Sequence, residues 1–153
     1  MLMKTVDRVD RAQAVIASLF DGARDAVGVA VCDPRSPQPS LMPEEQAYVV
    51  RAIPARQREF AAGRAVTRRA MGQLGMGPLP VPAGQDRAPI WPSEVSGSIS
   101  HSASLCAAAV THGPKIIGLD DEEDTDLDAN LVSSVCSARE IAQIAGPQQL
   151  RLA

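Results

Sequence analysis

Residues 97–123 read GSISHSASLCAAAVTHGPKIIGLDDEE. The apolar run Leu105–Thr111 is flanked by two further segments of strand character, Gly97–His101 and Lys115–Asp121. His112, Gly113 and Pro114 predict a chain reversal between the last two. The stretch therefore predicts three strands in a mostly antiparallel cluster.

Upstream the pattern changes. Residues 8–20 predict a short amphipathic helix, and Val27–Cys32 (VGVAVC) a buried strand. Asp33–Ser40 (DPRSPQPS) is a loop, and Pro43 followed by Glu44 and Glu45 marks a helix start. A second helix is expected from about Ala55 to Leu74, with Phe60, Ala70, Met71 and Leu74 inward and Gly75, Gly77 and Pro78 as its stop. Prolines between Pro80 and Pro92 predict a loop. Ser137 and Glu140 are spaced as a capping box ahead of Ile141 and Ile144. Helices followed by an antiparallel strand cluster define an α+β class, with no internal repeat.

The 153 residues are 45% hydrophobic and 22% charged, as expected of a soluble domain able to bury a core. A net charge of -3 excludes a general nucleic-acid binder. Charge is unevenly spread. Arg51, Arg56, Arg58, Arg64, Arg68 and Arg69 face a single acid, Glu59, whereas residues 120–128 hold seven acids and no base. Opposite fields in one small domain suit a polyanion held by arginines at one end and through a metal at the other. Cys32, Cys106 and Cys136 form no CxxC pair, which favours reduced thiols over a disulfide framework or zinc site. Charged residues interrupt the apolar N-terminus, so neither a signal peptide nor a membrane span is expected, and the location expected is the cytoplasm.

Three motifs carry chemistry. On a strand, Asp120 and Glu122 would share one face, the donor set magnesium takes from protein when phosphate and water complete its shell. A solvated acidic loop is an equal alternative. An EF-hand is excluded, because Ala129 and Val135 stand where glycine and glutamate are required. Ser98, Ser100 and Ser102 alternate with His101 behind Gly97 without a nucleophile elbow, leaving a polar edge strand or a phosphate-binding hydroxyl and imidazole. Arg56, Phe60 and Arg64 share a helix face, either as arginines lying over an apolar stripe or as guanidinium forks for phosphate. Arg87 adds a third positive group.

Taken in order, RQREFAAGR (56–64), QLG (73–75), GQDRAPIWP (84–92), GSISHS (97–102) and IIGLDDEE (116–123) resemble the Sfp-type 4′-phosphopantetheinyl transferases, nearest the branch of enterobactin synthetase component D. The resemblance spans most of residues 41–123. It implies Mg²⁺ ligation by Asp120 and Glu122, with Asp120 also at the coenzyme A diphosphate. It implies contact of Ser100 and His101 with the coenzyme A nucleotide, arginines Arg56 and Arg64 along the same site, and the loop Gly84, Gln85, Asp86 and Arg87 at the adenine end. It further implies transfer of 4′-phosphopantetheine from coenzyme A to a serine of an apo acyl or peptidyl carrier protein, in siderophore or other secondary metabolism, with no nucleic acid or membrane involved.

The family fold has two similar α+β halves. By that comparison residues 1–112 are the N-terminal half and residues 113–153 an incomplete beginning of the second, so a C-terminal truncation is expected. The family's later KE motif has one counterpart, Cys136–Glu140 (CSARE). Its spacing from Asp120 is shorter than in the family and assigns Glu140 to a helix cap. The catalytic base is thus unassigned, with Glu140 its one candidate, and the alternative function is a catalytically inactive remnant that binds coenzyme A or a carrier protein.

Overall fold

The structure, a computed structural model, describes residues 2–126 and 128–143, with side chains from Arg8 onward. The chain divides into two units, one up to Asp121 and one from Glu122. The first contains α1 (Leu2–Ser18), β1 (Val27–Cys32), α2 (Pro43–Val49), α3 (Pro54–Gln73), β2 (Val95–His101) and β3 (Cys106–His112). The strands form an antiparallel sheet of order β1-β3-β2. Mixed helix and antiparallel strand make this an α+β fold.

Strand alternation assigns the two faces. Val27, Val29 and Val31 align with Thr111, Ala109 and Ala107, and these with Ser96, Ser98 and Ser100. On this face Val29, Val31, Ala107 and Ala109 cluster with Ile16 of α1. The other face presents Ala30, Cys106, Ala108 and Val110, which pack with Ala62, Val66, Ala70 and Met71 of α3. All but the last residue of β3 are buried, because helices or chain segments cover both sides.

Close packing depends on small side chains. A Cβ on Gly28 would lie 2.1 Å from the Ala70 carbonyl oxygen, so α3 reaches the sheet only over a glycine. The outer edge of β1 is occupied by side chains. Gln73 donates to the Val29 carbonyl at 2.7 Å and accepts from its N–H at 2.9 Å, Gln13 donates to the same carbonyl at 2.6 Å, and Arg69 donates to the Val31 carbonyl at 3.1 Å. Edge groups that could template another strand are thereby engaged.

Glu45, 0% exposed, joins three elements. Its carboxylate accepts from the Met42 N–H at the start of α2, from Arg68 of α3 at 2.7 Å, and from the Val81 N–H at 2.9 Å. Losing it would leave the Arg68 guanidinium uncompensated, at a cost of about 3–5 kcal/mol.

One expected strand is absent. Lys115–Asp121 has no regular secondary structure. Three serines of β2 take the backbone groups that a ladder would use. Ser96 Oγ donates to the Gly113 carbonyl and accepts from Lys115 N–H, while Ser98 Oγ donates to and accepts from Leu119. Ser100 Oγ accepts from Asp121 N–H. The segment thus crosses the serine-bearing face, with Ile117 and Leu119 against the α1 cluster. Gly113, at φ +80°, provides the reversal expected there. α1 begins earlier than the pattern predicted, at Leu2 instead of residue 8.

In the second unit, Asp128 caps a short turn at Ala129–Leu131, followed by α4 (Val132–Val135) and α5 (Ala138–Gln143). Ser137 N–H and Oγ both donate to Glu140 Oε2 at 2.7 Å, the expected capping box. Ile144 lies outside the described residues. No helix among them is long and apolar enough to cross a membrane.

A Gly28→Ala variant tests the packing directly. Overpacking against main chain is expected to cost roughly 3 kcal/mol and lower Tm by about 10 °C in thermal denaturation.

Candidate functional site

The long helix α3 and the end of β2 bring together residues far apart in sequence. Arg56 stands in the first turn of α3, and its Nη1 lies 3.1 Å from His101 Nε2 at the end of β2. The same guanidinium reaches Glu59 Oε2 and the Tyr48 hydroxyl, each at 3.4 Å. Tyr48 stacks on Phe60 with ring centroids 4.7 Å apart. Arg64, one helical turn on, lays its guanidinium 3.9 Å from the Phe60 ring centroid. The shared face of Arg56, Phe60 and Arg64 therefore carries two differently placed cations.

Arg56 is half-exposed and its charge borders solvent. Arg64 is 6% exposed and its Nε donates to the Val81 carbonyl at 2.6 Å. Burial lowers the Arg64 pKa to about 10, partly offset by the Glu45 carboxylate. Arg64 is thus a cation over an aromatic ring that also fixes the entry to the proline-rich loop. The Tyr48 hydroxyl is more acidic than an ordinary phenol, first because Arg56 hydrogen-bonds to it, with Arg87 and Arg64 adding positive potential.

The loop carrying Arg87 is a tight turn. Gly84 N–H donates to the Ala88 carbonyl at 2.9 Å, and Arg87 N–H donates to the Gly84 carbonyl at 3.0 Å. Asp86 accepts from Ala88 N–H at 3.1 Å. Arg87 adopts φ 69°, and Gln85, Asp86 and Arg87 point into solvent.

On the other side of β2, Ser100 is buried and its hydroxyl donates to Asp120 Oδ1 at 2.9 Å. Alternation along one strand therefore sends Ser100 to the acidic segment and His101 to the arginines. Asp120 lies near the end of the first unit, and Glu122 opens the second, where its carboxylate accepts from Glu123 N–H. Among the described residues no group of three or more His, Cys, Asp or Glu is placed to hold a metal. Yet both carboxylate oxygens of Asp121 are buried without a hydrogen-bond partner among those residues. A buried anion without donors favours a cation nearby, and oxygen donors suit a hard one such as Mg²⁺.

Tyr48 and Asp121 were not singled out by sequence reasoning as site residues. Tyr48, the one tyrosine, sits eight residues before Arg56 on a different helix, so only the tertiary fold joins them. On a strand Asp121 would lie on the face opposite Asp120 and Glu122. Its burial was not legible in a run of acids.

A family model described as the 4′-phosphopantetheinyl transferase N-terminal domain matches residues 44–111, which include α3, the Arg87 loop, β2 and nearly all of β3. Over these residues the chain is similar to the 4′-phosphopantetheinyl transferases. It is 37% identical to the 4′-phosphopantetheinyl transferase Svp of Streptomyces mobaraensis over 115 residues, which are 74% of this chain and 47% of that protein. It is 35% identical to the 4′-phosphopantetheinyl transferase Npt of Nocardia iowensis over 61% of this chain and 43% of that protein. Enterobactin synthase component D of Escherichia coli is 38% identical over 56% of this chain and 36% of its own length. The chain thus spans about half the length, or less, of these curated relatives.

Arg56→Ala should remove the main influence on Tyr48. Ultraviolet titration of this single tyrosine is expected to show an apparent pKa below the ordinary value of about 10 in the parent protein, and a rise toward that value in the variant.

Proposed function

We propose that this chain binds coenzyme A together with Mg²⁺ and serves transfer of the 4′-phosphopantetheine group to a serine of an apo acyl or peptidyl carrier protein. The observation that supports this most is the junction at Ser100 and His101. Adjacent residues of one strand connect a cationic cluster of Arg56, Arg64 and Arg87 to an acidic segment at Asp120. A diphosphate nucleotide has the matching chemistry, needing imidazole and guanidinium donors for phosphate and carboxylates for its metal.

In this reading His101 and Arg56 take the nucleotide phosphates. Arg64 supplies fixed positive potential behind them, and the loop Gly84, Gln85, Asp86 and Arg87 borders the adenine. Asp120 and Glu122 hold the cation, with Ser100 keeping the Asp120 carboxylate oriented. Bound Mg²⁺ would neutralise charge developing on the diphosphate. The residues named here act by positioning and electrostatics, the main sources of rate in phosphoryl chemistry. Siderophore or other secondary metabolism and a cytoplasmic setting belong to the same proposal.

A second reading, coenzyme A binding without transfer, has its own support. The carboxylate of Glu140, the candidate base, is engaged by both donors of Ser137, and that contact holds it in its ionised form below the usual carboxylate range. The transfer reaction therefore needs a proton acceptor other than a free Glu140.

Isothermal titration with coenzyme A and Mg²⁺ tests the shared part of both readings. His101→Ala and Arg56→Ala are each expected to weaken binding by about tenfold, the value of one charge-assisted hydrogen bond. Asp120→Ala is expected to abolish the Mg²⁺ dependence. Mass spectrometry of an apo carrier protein then separates the readings. A phosphopantetheine adduct supports transfer, and binding without an adduct supports the second reading. Undetectable coenzyme A binding by the folded parent chain overturns both.

A further inference from the structure

Cys32 ends β1 and Cys106 begins β3, and the two stand directly opposite each other in the antiparallel pair. Facing residues of such a pair have Cα atoms about 4.5–5.5 Å apart. A disulfide spans about 4.4–6.8 Å, so the backbone already has suitable spacing. Both thiols are free, and Cys32 Sγ lies 3.9 Å from Gln38 Oε1. Cys106 is buried, whereas Cys32 is partly accessible.

The accessible thiol borders a cavity of about 590 Å³ whose lining includes Cys32, Asp33, Gln38, Arg68 and Arg69. Arg68 and Arg69 bring two guanidinium groups to this lining, Arg68 paired through Nη1 with Glu45 and Arg69 bonded through Nη1 to the Val31 carbonyl. Asp33 also lines the cavity, but Arg35 holds its carboxylate at 2.6 Å. Two guanidinium groups beside a partly exposed thiol suit a small molecule that carries both an anionic group and sulfur.

We propose that Cys32 and Cys106 form a reversible dithiol–disulfide couple, oxidised by a small anionic disulfide of the glutathione class that enters this cavity. The Cys32 thiolate attacks one sulfur of the small disulfide, forming a mixed disulfide and releasing one thiolate. Cys106 then attacks Cys32 sulfur, its proton passing to the second thiolate as that group leaves. Two protein thiols are oxidised and one small disulfide is reduced to two thiols. The roles follow from exposure, the accessible sulfur attacking first and the buried one resolving. The interaction between the two thiols lowers the pKa of Cys32, which favours it as the first nucleophile, and raises that of Cys106. Cytosolic disulfides, where they occur, are mostly of this transient kind.

Neither step uses coenzyme A or a carrier protein, so the test is independent of the transferase reading. The full chain is incubated with oxidised glutathione, free thiols are alkylated, and intact mass and peptide maps are recorded. The expected result is a Cys32–Cys106 linked peptide, with Cys136 alkylated and no glutathione retained. Cys106→Ser should trap glutathione on Cys32, and Cys106→Ala is a second variant should the serine form fail to fold by circular dichroism. Cys32→Ser should block the reaction. Arg69→Gln should slow oxidation by glutathione several-fold while leaving oxidation by neutral hydroxyethyl disulfide unchanged. A link involving Cys136, no linked peptide, or no adduct on Cys32 in the folded Cys106 variants overturns the couple. Equal slowing with both oxidants overturns the anionic specificity.

Discussion

The central strand β3 is buried on both faces over all but its last residue, and its sequence CAAAVT keeps side chains small where two covering layers must approach. Alanine in the middle of a sheet contributes little apolar area. Its value here is thickness, because small residues let α3 come close on one face and α1 on the other. Gly28 extends the same condition to the neighbouring strand, where the Ala70 carbonyl occupies the space a Cβ would need. With α3 held at this depth, Arg56 at its start reaches the end of β2, and the distance to His101 is set by sheet packing instead of by any local motif.

Much of this arrangement was legible in the sequence. β1 and α3 follow from an apolar run and from helical spacing bounded by proline and glycine. Alternation along GSISHS correctly separated Ser100 from His101. Lys115–Asp121 was not legible, because its Ile-Ile-Gly-Leu pattern fits a strand and nothing local signals that serine hydroxyls will take its backbone groups. Glu45 was read as a charge favouring a helix start, and a local pattern cannot report that a carboxylate will also be sealed beneath α3 and the Val81 backbone. Arg56 and Arg64, equivalent on a helical wheel, differ because one borders solvent and the other lies over Phe60.

The cationic cluster and the dithiol row are neighbours within one sheet. Cys106 faces Cys32 on one side and His101 on the other, so three strands contribute one chemically active residue each to a single row. A covalent link on one side of β3 would reduce the freedom of the strand end next to the imidazole.

The three serines of β2 have a broader consequence. A segment held by side-chain hydroxyls is attached through residues that can be changed singly, whereas a ladder strand is attached through a main chain that cannot. Each serine both donates and accepts, at Gly113 and Lys115, at Leu119, and at Asp120 and Asp121. The path of the acidic segment is thus encoded separately from the sheet that carries it. Single point changes can retune where its carboxylates stand while leaving strand pairing intact, which gives this fold an inexpensive route to evolutionary adjustment of its anionic end.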